Sequence, residues 1–130
     1  MTGIPPTRGF GLPDGNWLLA LAGGGNRSFE SGIVARAGGT KAAAIQLPSN
    51  VALLELGVVA TGGDSALMPE AKAGSVVLVR NAGAASADLF GQGTNTINGV
   101  ATATAYALAN GVSALFFCVV DGDWSAIKSA

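Results

Sequence analysis

The stretch GQGTNTING, residues 91–99, combines closely spaced glycines with short polar side chains, as many phosphate-binding loops do. A dinucleotide-binding loop needs the spacing G-x-G-x-x-G at a strand-to-helix turn, so that the helix N-terminus faces the pyrophosphate. Here Thr96 stands at the position of the third glycine, and the following ATATAYAL alternates like a strand. The lysine and hydroxyl residue that complete a P-loop are also missing. The sequence therefore argues against a nucleotide site.

The alternative for the same stretch is a structural turn at the start of the strand ATATAYAL. In that interpretation Gly91, Gly93 and Gly99 supply positive φ angles or a close approach of the backbone. Ile97 is the only large apolar residue of the stretch. We predict that Ile97 points inward and attaches the turn to the core.

Catalytic groups are scarce in this chain. The sequence has no histidine, which excludes Ser-His-Asp, Cys-His and histidine-based metal sites. Its eight acidic residues are spread singly, apart from Asp121 and Asp123. That pair could contribute to a calcium site, but it lacks the ligand series of an EF-hand loop, and a solvated Asp-Gly turn is favoured. We predict no catalytic, cofactor-binding or metal-binding residues; a small enzyme stays an alternative only if the acids converge in a pocket.

The composition points to contact with other proteins. A chain of 130 residues is one domain by length. Its net charge of -1 gives no electrostatic basis for binding nucleic acid or an anionic membrane. Charged residues make up 12% of the chain, against roughly 25% in an ordinary soluble domain. Such a surface suits permanent assembly with other protein, and we expect a homo-oligomer.

Two further features bear on where the protein is found. No apolar run approaches the ~18 residues that a membrane-spanning helix needs, and the N-terminus lacks the pattern of a secretory signal. We therefore expect a protein made and kept in a soluble compartment. Cys118, the single cysteine, lies in the apolar run SALFFCVV, which predicts a buried and unreactive thiol.

Residues 1–32 are predicted to form an extended N-terminal arm with one short helix. Prolines and glycines dominate the first 13 residues, and a possible helix follows, ended by the glycines at 23–25. Trp17, Leu18 and Leu21 fall on one face of that helix. A helix of about two turns is not stable alone, so this face must pack on something. The alternatives are the protein's own core and a neighbouring subunit, and the neighbour is favoured.

Residues 33–130 are predicted to form a β domain. Short runs rich in Val, Ile, Leu and Phe alternate with Gly, Asn, Asp and Pro, a pattern typical of short antiparallel strands. In VALLELGVV, Leu54 and Leu56 alternate with Leu53 and Glu55, which predicts one wholly buried face and one mixed face. The expected fold is all-β, a small antiparallel sandwich, jelly roll or barrel.

A weak internal repeat runs through this β domain. Residues 65–83 and 105–122 share a leucine, a small turn with Gly74 or Gly111, an apolar strand and a polar glycine turn. Residues 45–57 form a looser third copy, with Asn50 where the glycines stand. The repeat predicts a strand, tight turn, strand unit. Its unequal spacing argues against a solenoid.

Trp124 follows the Asp-Gly turn near the C-terminus. A tryptophan at this place usually closes the end of a β core, which is the favoured interpretation. The alternative is an exposed aromatic platform for sugar, together with Tyr106.

The segment from residue 64 to 124 resembles a recurrent C-terminal pattern in small structural proteins of tailed bacteriophages. The resemblance rests on VVLVRNAG, a glycine-rich turn, TINGV, a leucine, Gly111, the aromatic strand ALFFCVV, and Gly122 two residues before Trp124. It covers roughly half the chain. The resemblance implies a virion component, either a capsid decoration (cement) protein or a module of a head or tail fibre.

The favoured function is a non-enzymatic capsid decoration protein that stabilises the head by bridging capsid subunits. The alternative is a receptor- or glycan-binding module of a fibre. The implied partner is the major capsid protein or another virion protein, with a homo-trimer favoured over a dimer because many decoration sites of the resembling group have threefold character. The expected place is the capsid surface, after synthesis in the host bacterial cytoplasm.

Overall fold

The computed structural model describes residues 28–129, which form ten strands and almost no helix. The strands are β1 Phe29–Val34, β2 Ile45–Gln46, β3 Leu53–Val58, β4 Asp64–Leu67, β5 Val76–Asn81, β6 Ala87–Phe90, β7 Thr96–Ile97, β8 Tyr106–Leu108, β9 Ser113–Val120 and β10 Asp123–Lys128. One turn of 3₁₀ helix, Lys41–Ala43, precedes β2. The predicted all-β class is confirmed. The predicted docking residues Trp17, Leu18 and Leu21 lie outside the described residues.

The strands form two sheets, and the chain alternates between them from β1 to β6. The larger sheet has the order β1-β3-β5-β9-β10-β7, and the smaller sheet the order β2-β4-β6-β8. The first three strands of each sheet are parallel neighbours. Leu53 pairs with Phe29, 24 residues earlier, and with Leu78, 25 residues later. Successive turns of the chain thus stack in a solenoid-like arrangement.

The last strands end this winding by reversing direction. β8 lies antiparallel to β6 in the smaller sheet, and β9 lies antiparallel to β5 in the larger one. A hairpin then places β10 beside β9, and β7 adds a short parallel edge to β10.

Strand direction and the role of the repeat spacing differ from the sequence-based expectations. Antiparallel pairing was expected throughout, but it holds for three of the eight strand pairs described. The unequal repeat spacing argues against a solenoid, yet the strands stack in a solenoid-like arrangement that tolerates it. Paired residues lie 24 and 25 positions apart in the larger sheet, and 21 (Ile45 and Ala66) and 23 (Asp64 and Ala87) apart in the smaller. The surface connections between the sheets absorb the difference, because loops accept insertions at little cost.

The internal repeat corresponds to a structural unit: a strand of the smaller sheet, a turn, and a strand of the larger sheet. Asn50, Gly74 and Gly111 lie in the three equivalent turns, with φ angles of 62°, 93° and 78°. The predicted strand, tight turn, strand unit is present, but its two strands belong to different sheets, so the unit is not a hairpin. Each turn connects the two sheets, so the buried faces of its two strands lie against each other across the core. In a hairpin the two strands would lie side by side in one sheet.

One hydrophobic core lies between the two sheets and draws residues from both. Leu54 and Leu56 are buried while Leu53 and Glu55 on the same strand are not, as the alternation in the sequence predicted. Trp124, the second residue of β10, is fully buried in this core. Its ring meets Phe116 edge-on at 6.3 Å between centroids, and its indole N–H donates to the Pro69 carbonyl oxygen over 3.0 Å.

Asn81 is a fully buried polar residue at the end of β5. Its side-chain NH₂ donates to the carbonyl oxygens of Ala85 and Leu108, both at 2.8 Å. Its side-chain oxygen accepts from the Gly83 amide at 2.9 Å. One amide side chain therefore satisfies three backbone groups at the junction of β5, the loop before β6 and the end of β8.

Cys118 gives a pH-dependent prediction. Cys118 is a buried residue, and burial raises the pKa of its thiol; the charges of Asp121 and Asp123 add to the rise, while backbone hydrogen bonds at Val120 and Asp123 oppose it. A thiol with a raised pKa in the folded state contributes stability below its unfolded pKa and loses that contribution as the pH rises through the alkaline range. We expect the free energy of unfolding, measured by urea titration from pH 7 to 10, to fall with pH. The free energy of unfolding of the Cys118→Ala variant should fall less steeply with pH. An equally steep decline would contradict a raised pKa of the Cys118 thiol.

Candidate functional site

The glycine-rich stretch at 91–99 is a turn held by backbone contacts. Gly93 and Gly99 have φ angles of 57° and 70°. A side chain at Gly91 would collide with the backbone of Asn95, so glycine is required there for close approach. Ile97 is 5% exposed and belongs to the core. Its strand β7 is only two residues long and pairs with β10.

A lysine distant in the sequence, Lys41 of the 3₁₀ turn, contacts this turn. Lys41 donates from Nζ to the Gly93 carbonyl oxygen and to Thr102 Oγ1, the latter at 2.6 Å. Thr102 Oγ1 in turn lies 3.0 Å from the Gly93 oxygen and 2.9 Å from the Asn95 oxygen. These contacts hold residues 101–105 in turns, so the strand expected over ATATAYAL is reduced to Tyr106–Leu108.

The stability of the turn should depend on Ile97 and not on its polar side chains. Ile97→Ala removes buried apolar atoms, and such changes cost about 2–5 kcal/mol. Gln92 and Thr94 are exposed, so their replacement by alanine should change the melting temperature by no more than a degree or two. Thermal unfolding with and without ATP, NAD or phosphate measures both effects. A phosphate site would reverse the ranking and raise the melting temperature on addition of nucleotide.

In the described part of the chain, the acidic side chains hold turns and do not meet in one place. Asp121 accepts from the Ala73 amide at 2.8 Å, and Asp123 accepts from the Gly99 amide at 2.9 Å and from Thr96 Oγ1 at 2.6 Å. Both carboxylates thus fix turns around the β9–β10 hairpin. Within residues 28–129, no three Asp, Glu or Cys side chains are grouped so that they could hold a metal ion.

The surface feature that stands out is the outer face of the larger sheet, the side turned away from the smaller sheet. In register across five adjacent strands, this face carries a line of large apolar side chains that we call the apolar row. Its members are Phe29, Leu53, Leu78, Leu115 and Ile127. Four of them are 68%, 46%, 36% and 60% exposed, for Phe29, Leu53, Leu78 and Ile127 respectively. Leu115 is partly exposed.

The apolar surface extends beyond the row on one side. Val76 and Phe117 pair with each other on the same face, next to Leu78 and Leu115. On the other side, Glu55 and Arg80 form the charged border, with 3.8 Å between the Arg80 Nε and a Glu55 carboxylate oxygen. Between β1, β3 and β5 the face forms a shallow groove of about 350 Å³.

Chemically, this face can bury apolar surface against another protein segment and can do little else. Isolated exposed apolar residues are normal on a protein, whereas a continuous patch marks an interaction surface. Sequence reasoning did not identify this site. Its signal was present in SVVLVRN and SALFFCVV, where both alternating sets of positions are apolar. Strands of that kind have no polar face to turn to water.

Trp124 and Tyr106 do not form a flat exposed platform. Trp124 is buried in the core, and Tyr106 packs edge-on against Phe116 at 5.5 Å between centroids. Lys128 covers the Tyr106 ring, with Nζ 4.7 Å from the ring centroid. Stacking of a sugar on Trp124 would require the core to open.

Comparison with protein-family models, with curated proteins and with solved structures finds no match for this chain. In the part of the chain that the structure describes, no helix is long and apolar enough to cross a lipid bilayer.

Proposed function

We propose that this protein is a non-enzymatic structural component of a virion, a capsid decoration protein that docks on capsid subunits through the outer face of its larger sheet. The observation that carries the proposal is the apolar row, which crosses five strands and is exposed along them. The virion assignment comes from the resemblance of residues 64–124 to phage structural proteins. The partner is the major capsid protein.

The rest of the chain suits this role. The two sheets enclose one core, as in a small sandwich, and stacked strands give a rigid body between two contacts. The body binds one capsid subunit through the row, and the arm with Trp17, Leu18 and Leu21 reaches a neighbouring subunit. Many copies that each favour the assembled lattice add up to a large stabilisation. A homo-trimer, with a dimer second, fits threefold positions of a shell.

The test is co-sedimentation with empty particles assembled from the major capsid protein of the same genome. Wild-type protein should pellet with the particles. Leu78→Lys places a charge at the middle of the row and should weaken binding at least tenfold, because a buried charge without a partner is strongly unfavourable. The matched control is Val100→Lys, since Val100 is 47% exposed but lies outside the row.

Two outcomes would overturn the proposal. Wild-type protein could fail to bind the particles, or Leu78→Lys could bind as tightly as wild type while Val100→Lys behaves in the same way. Circular dichroism of both variants checks that each is folded.

A further inference from the structure

The apolar row raises the question of what covers it in the free protein. Phe29, Leu53 and Ile127 leave about half or more of their side-chain surface open to solvent. A continuous apolar patch on a single chain promotes self-association unless some segment covers it. Three occupants come into question: the chain's own N-terminal segment, a second copy, and an unrelated partner.

The position at which the chain enters the larger sheet favours its own N-terminal segment. Ser28 is fixed at the sheet edge, where its carbonyl oxygen accepts from the Leu53 amide at 3.3 Å and its hydroxyl from the Ala52 amide at 3.1 Å. The next residue, Phe29, is the first member of the apolar row. The 27 preceding residues therefore start at one end of the row.

The reach of this segment matches the row. Five strands spaced about 4.8 Å apart span about 20 Å. Leu21 lies seven residues before Ser28, and an extended chain covers about 3.3–3.6 Å per residue, so a linker of this length can cross the whole row.

The composition of the segment also fits. Residues 10–21 contain Phe10, Trp17, Leu18 and Leu21, with Asp14 as their only charge. A row of aliphatic side chains and one phenylalanine offers no partner for a charged segment but suits this one.

A second copy fits the row less well. The row and its neighbouring pair measure roughly 20 Å by 14 Å, given the strand spacing and the rise per two residues. That is roughly 300 Å², below the approximately 800 Å² per partner that a stable interface between two chains buries. On a capsid the row does not have to supply the whole interface, because the arm makes a second contact and many copies act together. A segment of twelve residues matches the smaller area.

We propose that residues 10–21 of the chain's own N-terminal segment pack over the apolar row in the free protein, with Trp17 in contact with it. Docking on a capsid subunit, as proposed above, uses the same row, so the segment and the capsid subunit compete for it. The inference concerns the free chain and stands whether or not the protein is a virion component.

The experiment uses tryptophan fluorescence, because Trp17 and Trp124 are the only tryptophans. The difference between wild-type and Trp17→Phe protein gives the signal of Trp17. We expect acrylamide to quench this signal several-fold more slowly than it quenches N-acetyltryptophanamide, at 1 µM and at 50 µM protein alike. Leu78→Lys and Phe29→Lys should each bring the quenching close to that of the free compound, whereas Val100→Lys should not.

The signal of Trp124, which is buried in the core, reports in each variant whether the domain is still folded. Phe29→Lys serves as the second variant because Phe29 lies at the exposed sheet edge, where a substitution costs little stability. The proposal is overturned if Trp17 is quenched as fast as the free compound, or if its protection survives both row variants. Protection that appears only at 50 µM would assign the row to a second copy.

Discussion

Trp124→Ala should lower the free energy of unfolding by about 3–5 kcal/mol, the range typical of a large aromatic residue removed from a core. The side chain is fully buried, contacts Phe116 edge-on, and donates a hydrogen bond to the Pro69 carbonyl oxygen over 3.0 Å. A domain of about 100 residues loses about 4–8 °C of melting temperature for each kcal/mol of unfolding free energy. The melting temperature of the variant should therefore be lower by at least about 12 °C. Differential scanning calorimetry measures this.

Trp124→Phe is the matched control. It keeps an aromatic ring against Phe116 but leaves the Pro69 oxygen without its donor, and we expect a smaller loss of about 1–3 kcal/mol. Equal losses in the two variants would show that the hydrogen bond, and not the packing of the ring, dominates. An exposed tryptophan, as a sugar platform requires, would tolerate both changes.

Asn81→Ala is expected to be nearly as damaging, although it removes only a small polar side chain. Three backbone groups, the buried oxygen of Leu108 and the partly buried oxygen of Ala85 and amide of Gly83, lose their partner together. Each unsatisfied group costs about 1–3 kcal/mol, so a total of at least 3 kcal/mol is expected in urea unfolding.

Gln46→Ala provides the comparison for Asn81. The Gln46 side chain also donates to backbone oxygens, those of Leu47 and Met68 at 3.0 and 3.2 Å, but it lies at the surface. Water can replace it, and the loss should stay below about 1 kcal/mol. If the two variants were equally stable, the buried position of Asn81 in the structure would be contradicted.

The strands could be predicted from the sequence, but their pairing could not. In VALLELGVV the alternation of Leu54 and Leu56 with Leu53 and Glu55 predicts the buried face correctly. The same alternation occurs in parallel and antiparallel strands, so it does not distinguish them. The turns at Gly74 and Gly111 are typical of hairpins as well, and only packing of the whole chain decides whether the flanking strands pair or lie in opposite sheets.

The composition predicts that an interaction surface exists, but the sequence does not show where it lies. A charged fraction of 12% predicts a surface covered by other protein, but it does not say which surface. Leu53, Leu78 and Leu115 lie far apart in the sequence, and only the strand register brings them into one row, parallel between β3 and β5 and antiparallel between β5 and β9. The burial of Asn81 could not be predicted, because an asparagine before Ala-Gly has the local signature of a turn. Its burial depends on contact with the end of β8, where it donates to the Leu108 carbonyl oxygen.

The most direct test of the docking surface is a cryo-EM map of capsid particles decorated with this protein. We expect the outer face of the larger sheet to lie against a capsid subunit, with Leu53, Leu78 and Leu115 enclosed by the contact. A map in which this face points to solvent, while the smaller sheet or the β9–β10 hairpin makes the attachment, would contradict it.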